Sequence, residues 1–178
     1  MNYHQELLKI VTTKDYPSFK DSDKLGELEQ IADDFLEADN LSGYMSAIVI
    51  YHQLTENIIK LLITCSRLWI KLIIAPDKIE FSDIDDKMFG YILNEYKNSI
   101  KNEKLIELCK KINKIRINLV HKIVVMDLNE IKEESLLCRE YYNEIFEIYE
   151  QEYDGYLLRY KEIARYPEDF EEGIEDFI

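Results

Sequence analysis

The chain has 178 residues, a formal net charge of -14 at pH 7, 47% hydrophobic and 33% charged side chains, five Gly and three Pro. That length and apolar fraction suit a folded domain with its own core and exclude a disordered chain. So few Gly and Pro leave little room for tight turns, which weighs against many short strands and for long helices.

Residues 3–11 read as a short helix, and residues 12–22, which include Pro17, as a connection. Residues 24–38 place Leu25, Leu28, Ile31, Ala32 and Phe35 at helical spacing. A break at 39–43 follows, with Ser42 as the expected cap of a long helix over 43–74. Ala75-Pro76-Asp77 ends that helix. Residues 82–100 are expected to be helical, weakened by Gly90. A basic helix spans 103–124, and Asp127 caps a last long helix from 128 to about 166, stopped by Pro167. The expected fold is an all-α helical bundle with two long helices, which favours a homodimer because a small domain cannot cover such lengths. The chain divides into a short helix and connection (1–22), the bundle (23–166) and an acidic tail (167–178). That tail reads as a solvated end, or as an arm that covers a basic surface.

The thirteen Tyr suit half-buried positions, where the ring packs and the hydroxyl stays wet. Cys65, Cys109 and Cys138 are odd in number and far apart, which suits buried thiols in a reducing compartment. The N-terminus lacks the cationic start and apolar run of a signal peptide. The most apolar stretch, 58–75, carries Lys60, Arg67 and Lys71, which argues against a membrane span. A cytoplasmic protein without membrane contact is expected.

The charge is unevenly spread. Between Lys97 and Lys122 eight Lys and Arg face two Glu, a local +6 that leaves -20 for the rest. Such an island can bind phosphate on an acidic molecule. It contains the segment Arg116-Ile117-Asn118-Leu119-Val120-His121, the part of the chain that looks most like chemistry. An imidazole moves protons, a guanidinium neutralises a phosphate, and the Asn118 amide can orient either group.

A helix advances about 100° per residue. With Arg116 at zero, Leu105, Leu108, Ile112, Ile115 and Leu119 fall between about 260° and 340°, and Ile106, Cys109, Ile117, Val120 and Val124 between about 20° and 100°. Arg116 thus lies at the centre of a broad apolar arc. His121, near 140°, and Asn118, near 200°, share the polar arc with Lys110, Lys111 and Lys114. A guanidinium amid apolar neighbours needs an anion, or must reach past them to one. On the long helix over 43–74, His52, Glu56, Lys60, Arg67 and Lys71 form a polar stripe; Glu56 to Lys60 is a favourable i,i+4 pair, and Glu56 is the expected partner of Arg116 if that stripe faces it. The plainer alternatives are a structural ion pair for Arg116 and a solvated surface position for His121. Because the two side chains diverge on a straight helix, one site using both needs a bend, a long reach or a second protomer.

Arg116, four residues, then His121 on a late helix of an all-helical chain resembles the HEPN superfamily, as does the apolar helix over 47–62 with its few embedded charges. The resemblance spans roughly residues 25–160. It implies a homodimer whose two motifs line one cleft, acting as a metal-independent endoribonuclease. His121 would exchange protons with the ribose 2'-hydroxyl, Arg116 would stabilise the phosphorane-like transition state, and the products would be a 2',3'-cyclic phosphate and a 5'-hydroxyl. It also implies a toxin or defence role, restrained by an antitoxin or another regulatory protein. Two positions depart from the pattern. Ile117 follows the arginine where a polar residue is common, and Ile123 stands where relatives controlled by a nucleotidyltransferase carry Tyr.

Two functions therefore compete: a ribonuclease, and a catalytically silent dimeric module of the same type that binds or regulates a partner. A metal- or nucleotide-dependent enzyme is disfavoured, because His4, His52 and His121 are scattered, metal ligands are not paired, and a glycine-rich phosphate loop is missing. No cofactor is expected.

Overall fold

A computed structural model of the protein describes residues 17–19, 22–73, 79–100 and 102–175, with backbone only at 22, 72–73 and 159–175. The helix expected at 3–11 lies outside these residues. Among them five helices and no strand are present: α1 (Ser22–Glu37), α2 (Leu41–Ile73), α3 (Phe89–Ser99), α4 (Glu103–Lys122) and α5 (Leu128–Glu175). The all-α bundle follows from the apolar periodicity, and its two long helices are α2 and α5.

α2 is the central element and packs on each of the other four helices. Ile48, Leu54, Ile58, Ile59 and Leu62 along it have no exposed surface. Each such side chain stabilises the fold by about 1.5–3 kcal/mol relative to the exposed state. The register follows from cross-helix contacts. Asp39 meets Lys132 and Tyr51 meets Tyr142, so α2 and α5 run in the same direction. Lys104 pairs with Glu144 and Asn118 with Glu134, so α4 runs against α5, and therefore against α2.

The α1–α2 junction depends on close backbone approach. A Cβ at Gly43 would stand 2.2 Å from the Phe35 carbonyl oxygen, so only glycine fits. The cap of α2 is Asn40 rather than Ser42: Asn40 Oδ1 accepts from Gly43 N at 2.9 Å, and Ser42 Oγ donates to that same oxygen at 2.7 Å. Asn102 and Asp127 cap α4 and α5, accepting from Leu105 N at 3.0 Å and Glu130 N at 2.8 Å.

The helix expected over 82–100 begins only at Phe89. Asp83 Oδ1 accepts from Asp85 N at 2.9 Å, a local turn that competes with the helical ladder. The polar stripe of α2 holds this turn in place. Lys60 Nζ donates to Asp85 O at 2.6 Å, and Arg67 donates to Ser82 O at 2.7 Å while pairing with Glu95 at 3.2 Å. α5 differs in the other direction. It continues through Pro167 to Glu175, 48 residues in all, so the acidic tail begins within a helix. At 1.5 Å rise per residue it is about 72 Å long.

The tyrosines are more buried than expected. Tyr44, Tyr51, Tyr96 and Tyr142 are at most 1% exposed. The hydroxyls of Tyr44, Tyr51 and Tyr96 reach carboxylates instead of water, donating to Asp39, Asp33 and Glu152 respectively. Desolvation and those carboxylates push the Tyr51 and Tyr96 phenols well above their ordinary value. Cys65, Cys109 and Cys138 are buried, and none of them forms a disulfide. Among the described residues no helix is long and apolar enough to cross a membrane.

Candidate functional site

α4 carries the Arg116/His121 segment, and its cover changes along its length. Ile106 and Cys109 are buried, but Ile117 and Val120, on the same angular arc, are 40% and 59% exposed, and Val124 lies in the turn after the helix rather than on it. The neighbouring helices therefore cover both sides of the first half of α4 and only one side of the second. Arg116 sits where the cover ends. It is exposed, not buried, and forms no ion pair among the described residues. The carboxylate expected to meet it, Glu56, binds Lys60 at 2.8 Å instead.

The side chains that α4 does present beside Arg116 come from two helices. Asn113, one turn earlier, faces His52 of α2, whose Nε2–H donates to Asn113 Oδ1 at 3.3 Å. His52 is 8% exposed, and its ring rests on Phe89 at the start of α3, with centroids 4.7 Å apart. Burial lowers the His52 pKa and the Arg116 charge lowers it further, while the Asn113 bond and the Glu56 charge act against both. Lowered from 6.5, this pKa leaves the imidazole mainly neutral at pH 7, and because Asn113 Oδ1 can only accept, the tautomer that makes this bond carries its proton on Nε2. Since α2 and α4 are antiparallel and His52 faces Asn113, Val49, 54% exposed, stands level with Arg116 and Ile117. Val49, Ile117 and Val120 make an apolar strip along this face.

His121 is exposed at the end of α4, with no hydrogen bond or ion pair among the described residues. It lies about 140° around the helix from Arg116, on the side of Lys110 and Lys114. Those two lysines are exposed and unpaired among the described residues, whereas Lys111 pairs with Glu107 at 2.8 Å and lies over the Tyr141 ring, and Lys104 pairs with Glu144. The basic island is therefore partly neutralised. Asn118 turns away from Arg116 and donates to Glu134 Oε1 at 3.4 Å. It lines a cleft of about 210 Å³ between α4 and α5 with Lys111, Lys114 and Tyr141. A wider cavity of about 590 Å³, bordered by Lys24, Asn57, Lys60 and Asp85, contains none of the α4 side chains. Among the described residues no three His, Cys, Asp or Glu side chains gather into a metal-sized group.

The structure thus assembles Arg116, Asn113 and His52 on one side of α4, and His121, Lys110 and Lys114 on another. Asn113 escaped the sequence reading. Its signal was available: near 60° it is the one amide within the arc of Ile106, Cys109, Ile117, Val120 and Val124. Comparisons with protein-family models, characterised proteins and solved structures give no match.

Proposed function

We propose that the protein is a metal-independent endoribonuclease of HEPN type that works as a homodimer. Arg116 and His121 are both exposed on one helix, and among the described residues no carboxylate pairs with either. That pairing of an unclaimed guanidinium with an unclaimed imidazole carries the reading. Their divergence of about 140° means that one subunit does not aim both at the same phosphodiester. A second copy supplies the missing side, and the exposed strip of Val49, Ile117 and Val120 beside Arg116 is apolar enough to meet one.

In this reading His121 takes the proton from the ribose 2'-hydroxyl, and that oxygen forms a bond to phosphorus. The bond from phosphorus to the 5'-oxygen breaks, and the leaving oxygen takes up the proton from the imidazolium that His121 has become. Arg116 stabilises the charge that builds on the phosphoryl oxygens, and Lys110 and Lys114 draw the strand in. An antitoxin or regulatory protein would restrain such an activity in a toxin or defence effector. The divergence of Arg116 and His121, together with apolar Ile117 between them, also favours a second reading, a silent dimeric module that binds a protein partner.

The two part in one assay. The purified chain is incubated with mixed-sequence RNA and EDTA. Cleavage that persists in EDTA and falls by about 10²–10⁴ in His121→Ala supports the enzyme. RNA left intact across many sequences overturns it and leaves the silent module.

A further inference from the structure

We propose that Asn113 and Arg116 form an anion seat for a phosphodiester oxygen of RNA, with His52 as the positioning residue that fixes the Asn113 amide. The choice of RNA rests on the ribonuclease reading; the seat itself rests on the geometry.

Asn113 and Arg116 are three residues apart on α4, which puts their Cβ atoms about 5–6 Å apart on neighbouring turns. An amide beside a guanidinium is an anion site only if it presents its NH₂ and not its carbonyl. Here the carbonyl is committed: Asn113 Oδ1 accepts from His52 Nε2–H at 3.3 Å. The imidazole is buried and seated on Phe89, so it is held in place. The amide is therefore turned with Nδ2 outward. Asn113 Nδ2 bonds to no acceptor among the described residues, and it is not among their buried polar atoms without a partner, so it reaches solvent. Arg116 is exposed beside it, and Glu56, the acid nearest in the stripe, is turned to Lys60. Two outward donors, one of them charged, have no protein acceptor between them. A phosphoryl oxygen matches that set in charge and in donor number. His52 touches no substrate in this arrangement; it acts through Asn113.

The test is a titration of the full chain followed by NMR at the Asn113 side-chain NH₂ and the Arg116 Nε–H. The probes are inorganic phosphate and a fully 2'-deoxy hexanucleotide, which lacks the attacking hydroxyl, with sodium chloride at matched ionic strength as the blank. The Asn113 and Arg116 signals are expected to move together with one midpoint for the hexanucleotide and to ignore chloride. Arg116→Ala should weaken binding by about tenfold or more, the loss of one charge-assisted contact. His52→Ala should abolish the Asn113 response while the rest of the spectrum stays folded, and His52→Gln, which keeps a side-chain donor, should restore it. An Asn113 signal that stays still while Arg116 moves, or that responds equally in His52→Ala, overturns the seat. Response to phosphate but not to the hexanucleotide overturns the assignment to RNA. Cleavage of a ribonucleotide strand in EDTA, measured on the same samples, separates the two ideas. Binding without cleavage sinks the nuclease and leaves the seat, and cleavage without the Asn113 response does the reverse.

Discussion

Arg116→Ala separates stability from function. The sequence places this arginine in an apolar arc, where its loss would strand a buried acid and cost several degrees of melting temperature. The structure places it in solvent without an ion pair among the described residues, so none of their acids is stranded. What is lost is packing of the side-chain stem, offset by the slightly better helix propensity of Ala, a net change within about 0.5 kcal/mol. For a domain of this size that is a shift of about 2 °C or less. Transition-state stabilisation is a different matter. Removing one preoriented donor from a developing oxyanion costs about 2.7–4 kcal/mol, or about 10²–10³ in rate. A third readout comes from His52, whose protonation the Arg116 charge disfavours, so its pKa should rise in the variant. Thermal unfolding, RNA cleavage in EDTA and a histidine NMR titration check the three. A fall of about 5 °C or more would show that Arg116 has a buried partner and that the exposed placement is wrong, whatever happened to cleavage.

Gly43→Ala should lower the melting temperature by about 4–8 °C. The new Cβ at 2.2 Å from the Phe35 carbonyl forces α1 and α2 apart, a clash with backbone that at about 3 kcal/mol outweighs the gain in helix propensity of about 1 kcal/mol; an unchanged or higher melting temperature would refute the close approach. His52 makes stability depend on pH. Its pKa is lowered in the folded protein from 6.5, so the folded state binds fewer protons than the unfolded chain; stability is full above about 6.5 and is lost as pH falls through that value towards the folded one. Denaturant unfolding at pH 7 and pH 5 should show this loss in the native chain and a smaller one in His52→Gln, and equal slopes would count against a buried neutral imidazole. Burial pushes the Cys138 thiol up to about 12 and Cys109 higher still, so both should resist a disulfide reagent at pH 8 until the chain is unfolded. Fast labelling of either in the native state contradicts their placement.

Much of the helical layout was readable from local patterns. The observed bounds of α1, α2 and α4 lie within two residues of expectation, and Asp127 caps α5 as its position suggested. These features depend on contacts a few residues apart, which periodicity and capping chemistry report directly. Where the reading failed locally, a competing short-range bond had won: Asn40 took the cap from Ser42, and the Asp83 turn delayed α3 to Phe89. At Pro167 the helix carried on past a residue that usually ends one.

The residue order alone determined that Arg116 and His121 share one late, basic helix and point about 140° apart, because helical geometry fixes angles from spacing. What each side chain faces was decided only by the packing. Whether an apolar arc is covered depends on where neighbouring helices pass, and the cover of α4 runs out near Asn113, leaving Arg116, Ile117 and Val120 in solvent. The contact between His52 and Asn113 joins residues 61 positions apart, and the exposure of Arg116 is likewise set by the helices around it, whereas Glu56 and Lys60 pair locally, four residues apart on α2. Burial and pairing belong to the assembled neighbours and not to a residue's place in the chain, so spacing could put Asn113 in the arc beside Arg116 but only the packing joins it to His52.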